Sequence, residues 1–200
     1  MNHWDEKFKS VEYIYGVEPN EWVRSVFNDE ESLEIALLAE GEGRNAAYLA
    51  DLGHQVTTYD YSKEGIEKTK LLAVSKGVDI NTNLQDITVR DALPFENFDA
   101  SVNVFGHVPK EGKEIMFSNL VNCVKPGGVI VFELYSKQQL EFKTGGPPNT
   151  DMLFSIDEIK GYLEKFSVDI IKLEEIITTR HEGKMHNGKS AVIQGEIRKR

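Results

Sequence analysis

The sequence predicts a doubly wound α/β fold, a mostly parallel seven-stranded sheet that ends in an antiparallel pair of strands. Three observations predict it. Residues 35–39 form a short apolar run that leads into Glu40-Gly41-Glu42-Gly43, then an amphipathic stretch, then a β-branched run ending in Asp60. Strand, glycine turn, helix, strand and terminal acid make the first half-unit of an open α/β sheet. Apolar runs go on alternating with helical patterns as far as residue 134, which is the order of a parallel sheet. The last two runs, 167–178 and 190–197, have only the polar residues 180–189 between them, so they form a hairpin.

The elements follow in order. Residues 1–19 lack a period but carry Trp4, Phe8, Tyr13 and Tyr15. Leaving such side chains in water would forfeit about 2 kcal/mol each, so this arm should fold back as a core flap or as a lid over a ligand. Asn20 caps a short helix through Phe27, and Asp29-Glu30-Glu31-Ser32 is a solvated connection. Helix 44–52 buries Ala46, Ala47, Leu49 and Ala50 and stops at Gly53. Ser62 caps helix 63–76, which Gly77 closes, and strand 80–84 ends in Gln85-Asp86-Ile87. Strand 100–105 reaches the tip Gly106-His107-Val108-Pro109. Helix 113–124 is stopped by Lys125-Pro126-Gly127-Gly128 before strand 129–134. Residues 136–150 are one long polar connection of the kind that often carries function, and Ser155-Ile156-Asp157-Glu158 has the capping-box form that opens a helix to about Phe166.

Two hundred residues suit one domain, residues 1–200, with residues 1–28 as an aromatic arm and helix over its site. A net charge of −10 and a pI near 5.0 argue against a surface that tracks nucleic-acid phosphates. The one cysteine, Cys123, allows no intrachain disulfide, and no apolar run approaches the length of a membrane span. The start, Met1-Asn2-His3-Trp4-Asp5-Glu6, lacks the form of a signal peptide. A cytoplasmic protein, monomer or homodimer, with no nucleic-acid or membrane partner is expected.

The glycine turn opens a nucleotide site in which the Asp60 carboxylate accepts hydrogen bonds from a ribose. Residues 41–46 also fit the dinucleotide pattern G-x-G-x-x-A, which keeps an NAD(P)-dependent oxidoreductase open. The antiparallel final pair tells against it, because the usual dinucleotide plan continues with parallel units. Asp86 and Ile87, at the carboxyl end of the third strand, can accept from an adenine amino group and cover its ring.

These residues together resemble a known family. Trp4-Asp5, Tyr15-Gly16-Val17-Glu18-Pro19-Asn20, residues 40–46, residues 56–62, Lys125-Pro126-Gly127-Gly128, Thr144-Gly145-Gly146-Pro147-Pro148 and residues 181–188 are similar to class I S-adenosylmethionine-dependent methyltransferases. Within that class they resemble the tellurite-resistance group. The resemblance implies a Rossmann-like methyltransferase fold and methyl transfer from S-adenosylmethionine to a small-molecule acceptor, a thiol or chalcogen oxyanion, with S-adenosylhomocysteine as product. It places Gly41 and Gly43 against the methionine portion, Asp60 on the ribose, Asp86 and Ile87 beside the adenine, and Asn103 at the sulfonium end. Tyr15, Glu40, Arg44, Asn45 and Tyr61 complete the cofactor-binding set. The family's first-strand acid and glycine are replaced by Leu37 and Ala39. Two readings follow: Glu40 supplies the carboxylate to the methionine ammonium, or the site is weakened and the chain is a non-catalytic binder of the cofactor.

Methyl transfer from a sulfonium needs alignment and exclusion of water more than a strong base. The candidate acceptor-side residues are His107 at the tip of the fourth strand, and His181 and His186 on the last hairpin, with more weight on His181. Trp4, Tyr15 and Tyr135 are candidate walls. No metal is expected, since no cysteine or second acid-histidine pair accompanies the hairpin histidines.

Overall fold

A computed structural model describes residues 3–28, 31–183 and 185–200. Asp29 and Glu30 of the expected solvated connection, Lys184 of the hairpin, and Met1 and Asn2 lie outside the described residues.

The elements in chain order are α1 (His3–Phe8), α2 (Glu21–Val26), β1 (Glu34–Leu38), α3 (Arg44–Asp51), β2 (Gln55–Asp60), α4 (Lys63–Lys76) and β3 (Ile80–Leu84). There follow β4 (Phe98–Val104), α5 (Lys113–Asn122), β5 (Val124–Tyr135), α6 (Ile156–Leu163), β6 (Val168–Glu182) and β7 (His186–Lys199). All seven strands join one sheet in the order β3-β2-β1-β4-β5-β7-β6. The first five are parallel, and β7 is antiparallel to both β5 and β6. The fold class is therefore the one the sequence predicts.

Alternation along β1 divides the core between the two sheet faces. Ile35 and Leu37 pack with Val23, Phe27, Ala46, Leu49 and Val56 under α2 and α3. Ala36 and Leu38 face Met116, Phe117, Leu120, Phe132 and Ile159 under α5 and α6. Residues 85–97 contain no helix. The sheet face at Thr57, Tyr59, Asn81 and Asn83 is accordingly left as an open cleft of about 410 Å³. No helix among the described residues is long and apolar enough to cross a membrane.

Three expectations change. The arm opens with a helix, α1, where no period is visible in the sequence. Pro126-Gly127-Gly128 does not precede β5 but lies within it, in a segment where pairing with β4 jumps from Phe98↔Val124 to Ala100↔Val129. A bulge absorbs the residues that read as a stop. The final hairpin is also longer: the ladder continues through Thr179↔Lys189, Arg180↔Gly188, His181↔Asn187 and Glu182↔His186, so most of residues 180–189 is strand. Arg180, Glu182 and His186 are buried, and polar side chains turned inward conceal the strand from a hydrophobicity pattern.

Candidate active site

The strand order reverses between β1 and β4, and a crevice at the carboxyl ends of the strands belongs at such a switch point. The chain leaves both strands in a left-handed conformation at non-glycine residues, Ala39 and Phe105, each with φ 54°. Such positions are strained for L-residues and cluster at functional sites. Gly106 fits because a Cβ there would lie 2.8 Å from the Ala39 methyl and 2.5 Å from Asn103 Nδ2.

Gly41 (φ 65°) and Gly43 (φ 89°) make the turn after β1, and Gly43 sits so tightly on α4 that a Cβ would approach Thr69 to 2.8 Å. As N-cap of α3, Gly43 has no side chain to offer. Glu40 does that work: Oε1 accepts the N–H groups of Asn45 (2.8 Å) and Ala46 (3.0 Å), and Oε2 accepts Asn45 Nδ2 at 3.2 Å. Desolvation raises the Glu40 carboxyl to about 7 against the pull of these bonds and of Arg44. Its outer edge still meets solvent, which lessens the free energy behind that rise. The helix cap accounts for both carboxylate oxygens.

Asp60 Oδ2 accepts Gly41 N–H at 2.8 Å and Oδ1 accepts Ser62 N–H at 2.7 Å. Burial lifts its carboxyl to about 6, opposed by the bonds from Ser62 and Gly41. A carboxylate has about four lone-pair sites, so acceptor capacity remains beyond the amides of Gly41, Ser62 and Tyr61. Gln85 N–H donates to Asp60 O at 2.8 Å, which brings the end of β3 alongside. Asp86 follows, exposed, with Thr88 N–H and Oγ1–H both on its Oδ1, and Ile87 beneath it is buried. Tyr61 is partly exposed beside this acid. Gly41, Asp60 and Asp86 thus converge. A glycine turn, a buried acid and an acid-isoleucine pair have the chemistry to take the adenosyl group of S-adenosylmethionine. Asn103 departs from its expected place at the sulfonium, since its side chain is buried against Gly106 N–H (3.1 Å) and Met116 Sδ (3.7 Å).

The arm closes over the turn. A Cβ on Gly41 would lie 3.1 Å from the Phe8 ring, and Phe8 stacks on Trp4. Asp5 accepts Ser62 Oγ–H at 2.8 Å. Glu42, buried in the turn, accepts the N–H groups of Ile14 and Tyr15 at 3.3 Å each and pairs with Lys68. Arg44 donates to Tyr15 O at 3.5 Å and to Glu182 Oε2 at 2.7 Å.

Beside the turn, Tyr15, Phe105 and Tyr135 wall in His186. Its ring centroid lies 4.5 Å from those of Tyr15 and Phe105 and 5.4 Å from that of Tyr135. Gly145 and Gly146 press on Tyr135 so closely that a Cβ on either would fall within 2.8 Å of it. Among the described residues, His186 Nδ1 is buried without a hydrogen-bond partner. Desolvation, reinforced by Arg44, holds His186 well below the usual histidine range, so the ring is uncharged.

The other two histidines are placed differently. His107 is buried with both ring nitrogens engaged: Nδ1 pairs with Met152 O at 2.9 Å and Nε2 accepts Tyr135 N–H at 3.2 Å. Burial holds it at about 4, and it braces the wall. His181 is exposed and paired with Asn187 at 3.1 Å, one step along β6 from the inward Arg180 and Glu182. Strand alternation thus brings His186, not His181, into the chamber.

Sequence reasoning passes over the buried polar group beneath. Asn20 Nδ2 donates to Glu133 (2.8 Å) and Glu182 (3.0 Å), its N–H donates to Asn45 Oδ1 (2.8 Å), and its own Oδ1 caps α2. Arg180 pairs with Glu133 and, at 3.0 Å, with Glu21, while Gln194 donates to Glu133 at 2.7 Å. The sequence signal was a charged residue at an inward position of an otherwise apolar strand, as Glu133 is in β5.

Comparison with known proteins agrees with this geometry. A family model described as a methyltransferase domain matches residues 35–128. The chain is 28% identical over 137 residues to the ubiquinone biosynthesis O-methyltransferase of Rickettsia prowazekii (strain Madrid E), a match covering 68% of this chain and 51% of that protein. The chain thus spans about half the length of this curated relative. TehB from Haemophilus influenzae superposes with a TM-score of 0.71 at 19% identity, over 99% of this chain and 66% of that one. Magnesium protoporphyrin IX methyltransferase from Synechocystis PCC 6803, solved with bound S-adenosylmethionine, gives 0.66 at 16% identity, over 90% and 76%. The chain has the fold of the class I S-adenosylmethionine-dependent methyltransferases, and its residues 35–128 are similar to a methyltransferase domain.

Proposed function

We propose that the chain transfers a methyl group from S-adenosylmethionine to a small-molecule acceptor, a thiol or a chalcogen oxyanion, and that His186 is the acceptor-side residue. Gly41 and Gly43 would lie against the methionine portion, Asp60 would hold the ribose, and Asp86 with Ile87 and Tyr61 would flank the adenine. The cofactor supplies an activated methyl on a cationic sulfur. The chain's own contribution is alignment and a dry chamber.

One observation carries the acceptor class: the unpartnered nitrogen in the chamber belongs to a histidine that burial holds uncharged. A histidine is at most a base of near-neutral strength, and burial lowers it further, so it suits an acceptor that sheds its proton near neutral pH, as a thiol does, better than an alcohol. An uncharged ring also adds no second cation where a sulfonium must be admitted.

The test is incubation with S-adenosylmethionine and a panel of thiols, selenite, tellurite and small hydroxylated acceptors, following release of S-adenosylhomocysteine. Release with thiols or chalcogen oxyanions is expected. Release with hydroxyl acceptors alone would overturn the acceptor class. Cofactor binding with no release on any acceptor would return the chain to a non-catalytic binding role.

A further inference from the structure

Glu182 stands between the two halves of the site. Its Oε2 accepts Arg44 Nη2 at 2.7 Å and lies 4.0 Å from His186 Nδ1, just beyond hydrogen-bonding reach. Both Nδ1 and the carboxylate are buried, and Nδ1 has no hydrogen-bond partner among the described residues. Arg44 is no bystander, because it is the first residue of α3, directly after Gly43 of the cofactor turn, and its second nitrogen holds Tyr15 O in the arm. A single carboxylate oxygen therefore has two claimants, one attached to the cofactor turn and one facing the acceptor chamber.

We propose that Glu182 is the positioning residue for His186 and that Arg44 gates it: engagement of the glycine turn draws Arg44 off Oε2, and the carboxylate then accepts a hydrogen bond from His186 Nδ1–H, the proton staying on the ring. The assignment rests on the reading of His186 as the acceptor-side group. A hydrogen bond from Nδ1–H to a carboxylate fixes the tautomer, leaving Nε2 as the lone-pair nitrogen, and makes the ring a better proton acceptor. In the present arrangement Arg44 denies His186 that bond. The acceptor-side group is thus kept weak until the cofactor turn is engaged.

Other charged and titratable groups among the described residues also surround His186. Arg44 from α3, His107 after β4, Lys7 from α1 and Arg180 from β6 all act to lower it. Tyr15 and Tyr135 face it with rings whose hydroxyls burial holds above the usual tyrosine range. Glu182 is the group within 4.0 Å whose charge would raise it. Arg180 stands 3.9 Å from the other oxygen, Oε1, which also accepts Asn20. Oε2 can turn toward the histidine without breaking the Asn20 bond.

The test is nitrogen-15 NMR of labelled histidine, with the His186 signal identified from a His186→Gln sample. It is run on wild type, Glu182→Gln and Arg44→Lys, each without ligand and saturated with S-adenosylhomocysteine. In wild type, ligand should move His186 to the Nδ1-protonated tautomer and raise its titration midpoint by one unit or more, tenfold in the protonation ratio. Glu182→Gln should lose that rise while still binding ligand in a thermal-shift assay. Arg44→Lys keeps the charge but, with one nitrogen, cannot span Glu182 and Tyr15 O together, so its ligand-free spectrum should already show the raised midpoint.

An equal rise in Glu182→Gln, or a ligand-free Arg44→Lys spectrum identical to wild type, would overturn the proposal. If wild type does not bind S-adenosylhomocysteine at all, the methyltransferase reading fails, and the ligand-free Arg44→Lys arm still decides the coupling. Should Glu182→Gln not fold, Glu182→Asp, shorter by one methylene, should reduce the rise, and an undiminished rise counts against the proposal.

Discussion

Asp60 and Gly41 are joined by a 2.8 Å hydrogen bond from the amide of the turn after β1 to the carboxylate at the end of β2. One acid thereby sets the shape of the glycine turn, and in the proposed function it also holds the ribose. Asp60→Ala should weaken cofactor binding by about 1.5–3 kcal/mol, the worth of hydrogen bonds to a charged group. Isothermal titration with S-adenosylhomocysteine checks this, and an unchanged dissociation constant would show that the ribose is held elsewhere.

Glu40 caps α3 from a site that raises its carboxyl to about 7 from 4.5. A carboxyl raised on folding binds protons more tightly in the native state. Its contribution is therefore fully present below pH 4.5 and is lost as pH rises through 7. Glu40→Gln keeps an oxygen for the α3 amides and should flatten this part of the stability profile. The loss in wild type between pH 5 and 8 should be on the order of 1 kcal/mol, about 2–4 °C in Tm. Thermal melts across that range decide it, and identical slopes in wild type and variant would sink the assignment.

His107 titrates with the opposite sign. Held at about 4 against an ordinary 6.5, it contributes stability that is present above pH 6.5 and lost as pH falls through 4. His107→Gln should destabilise by about 2–4 kcal/mol, since it disturbs buried bonds to Met152 O and Tyr135 N–H. Urea unfolding at pH 5 and 8 reads both effects, and a variant with wild-type stability at pH 8 would remove His107 from the bracing role.

For the hairpin, His186→Gln should retain cofactor affinity and lose at least tenfold in kcat on the true acceptor. His181→Ala should leave kcat and KM unchanged, because its side chain lies on the outer face of β6. The reverse pattern would restore the weight to His181.

Gly43→Ala should destabilise by about 1–3 kcal/mol: φ is 89° and the added methyl meets Thr69 at 2.8 Å. Gly53→Ala has a comparable φ, 93°, but nothing within 4 Å. Comparing the two melts separates backbone strain from the clash on α4, and equal losses would show that the Thr69 contact adds nothing.

Elements with chemical punctuation at both ends were legible in the sequence. Helix α4 runs Lys63–Lys76 because Ser62 accepts Gly65 N–H and Gly77 takes φ 68°, and both signals are local. Asn20 capping α2 is of the same kind. The placement of Gly41, Asp60 and Asp86 at the carboxyl ends of neighbouring strands was legible because a parallel sheet fixes where those ends gather. What escaped was non-local. Arg180, Glu182, Glu133 and Asn20 satisfy one another across large sequence separations, and each alone reads as a surface residue. The choice between His181 and His186 turned on how far the β6–β7 ladder runs, and buried polar pairs, not apolar periodicity, set that length.

The side chain of Asn20 closes loops of 113 and 162 residues when it meets Glu133 and Glu182. Long loops are slow to close, and their entropy is lost before the contacts return it. The contacts around Asn20, Glu133 and Glu182 are therefore expected to form late in folding, once the final hairpin has docked on the parallel sheet. A nascent chain released short of β6 would present the glycine turn without Glu182 or His186 beside it.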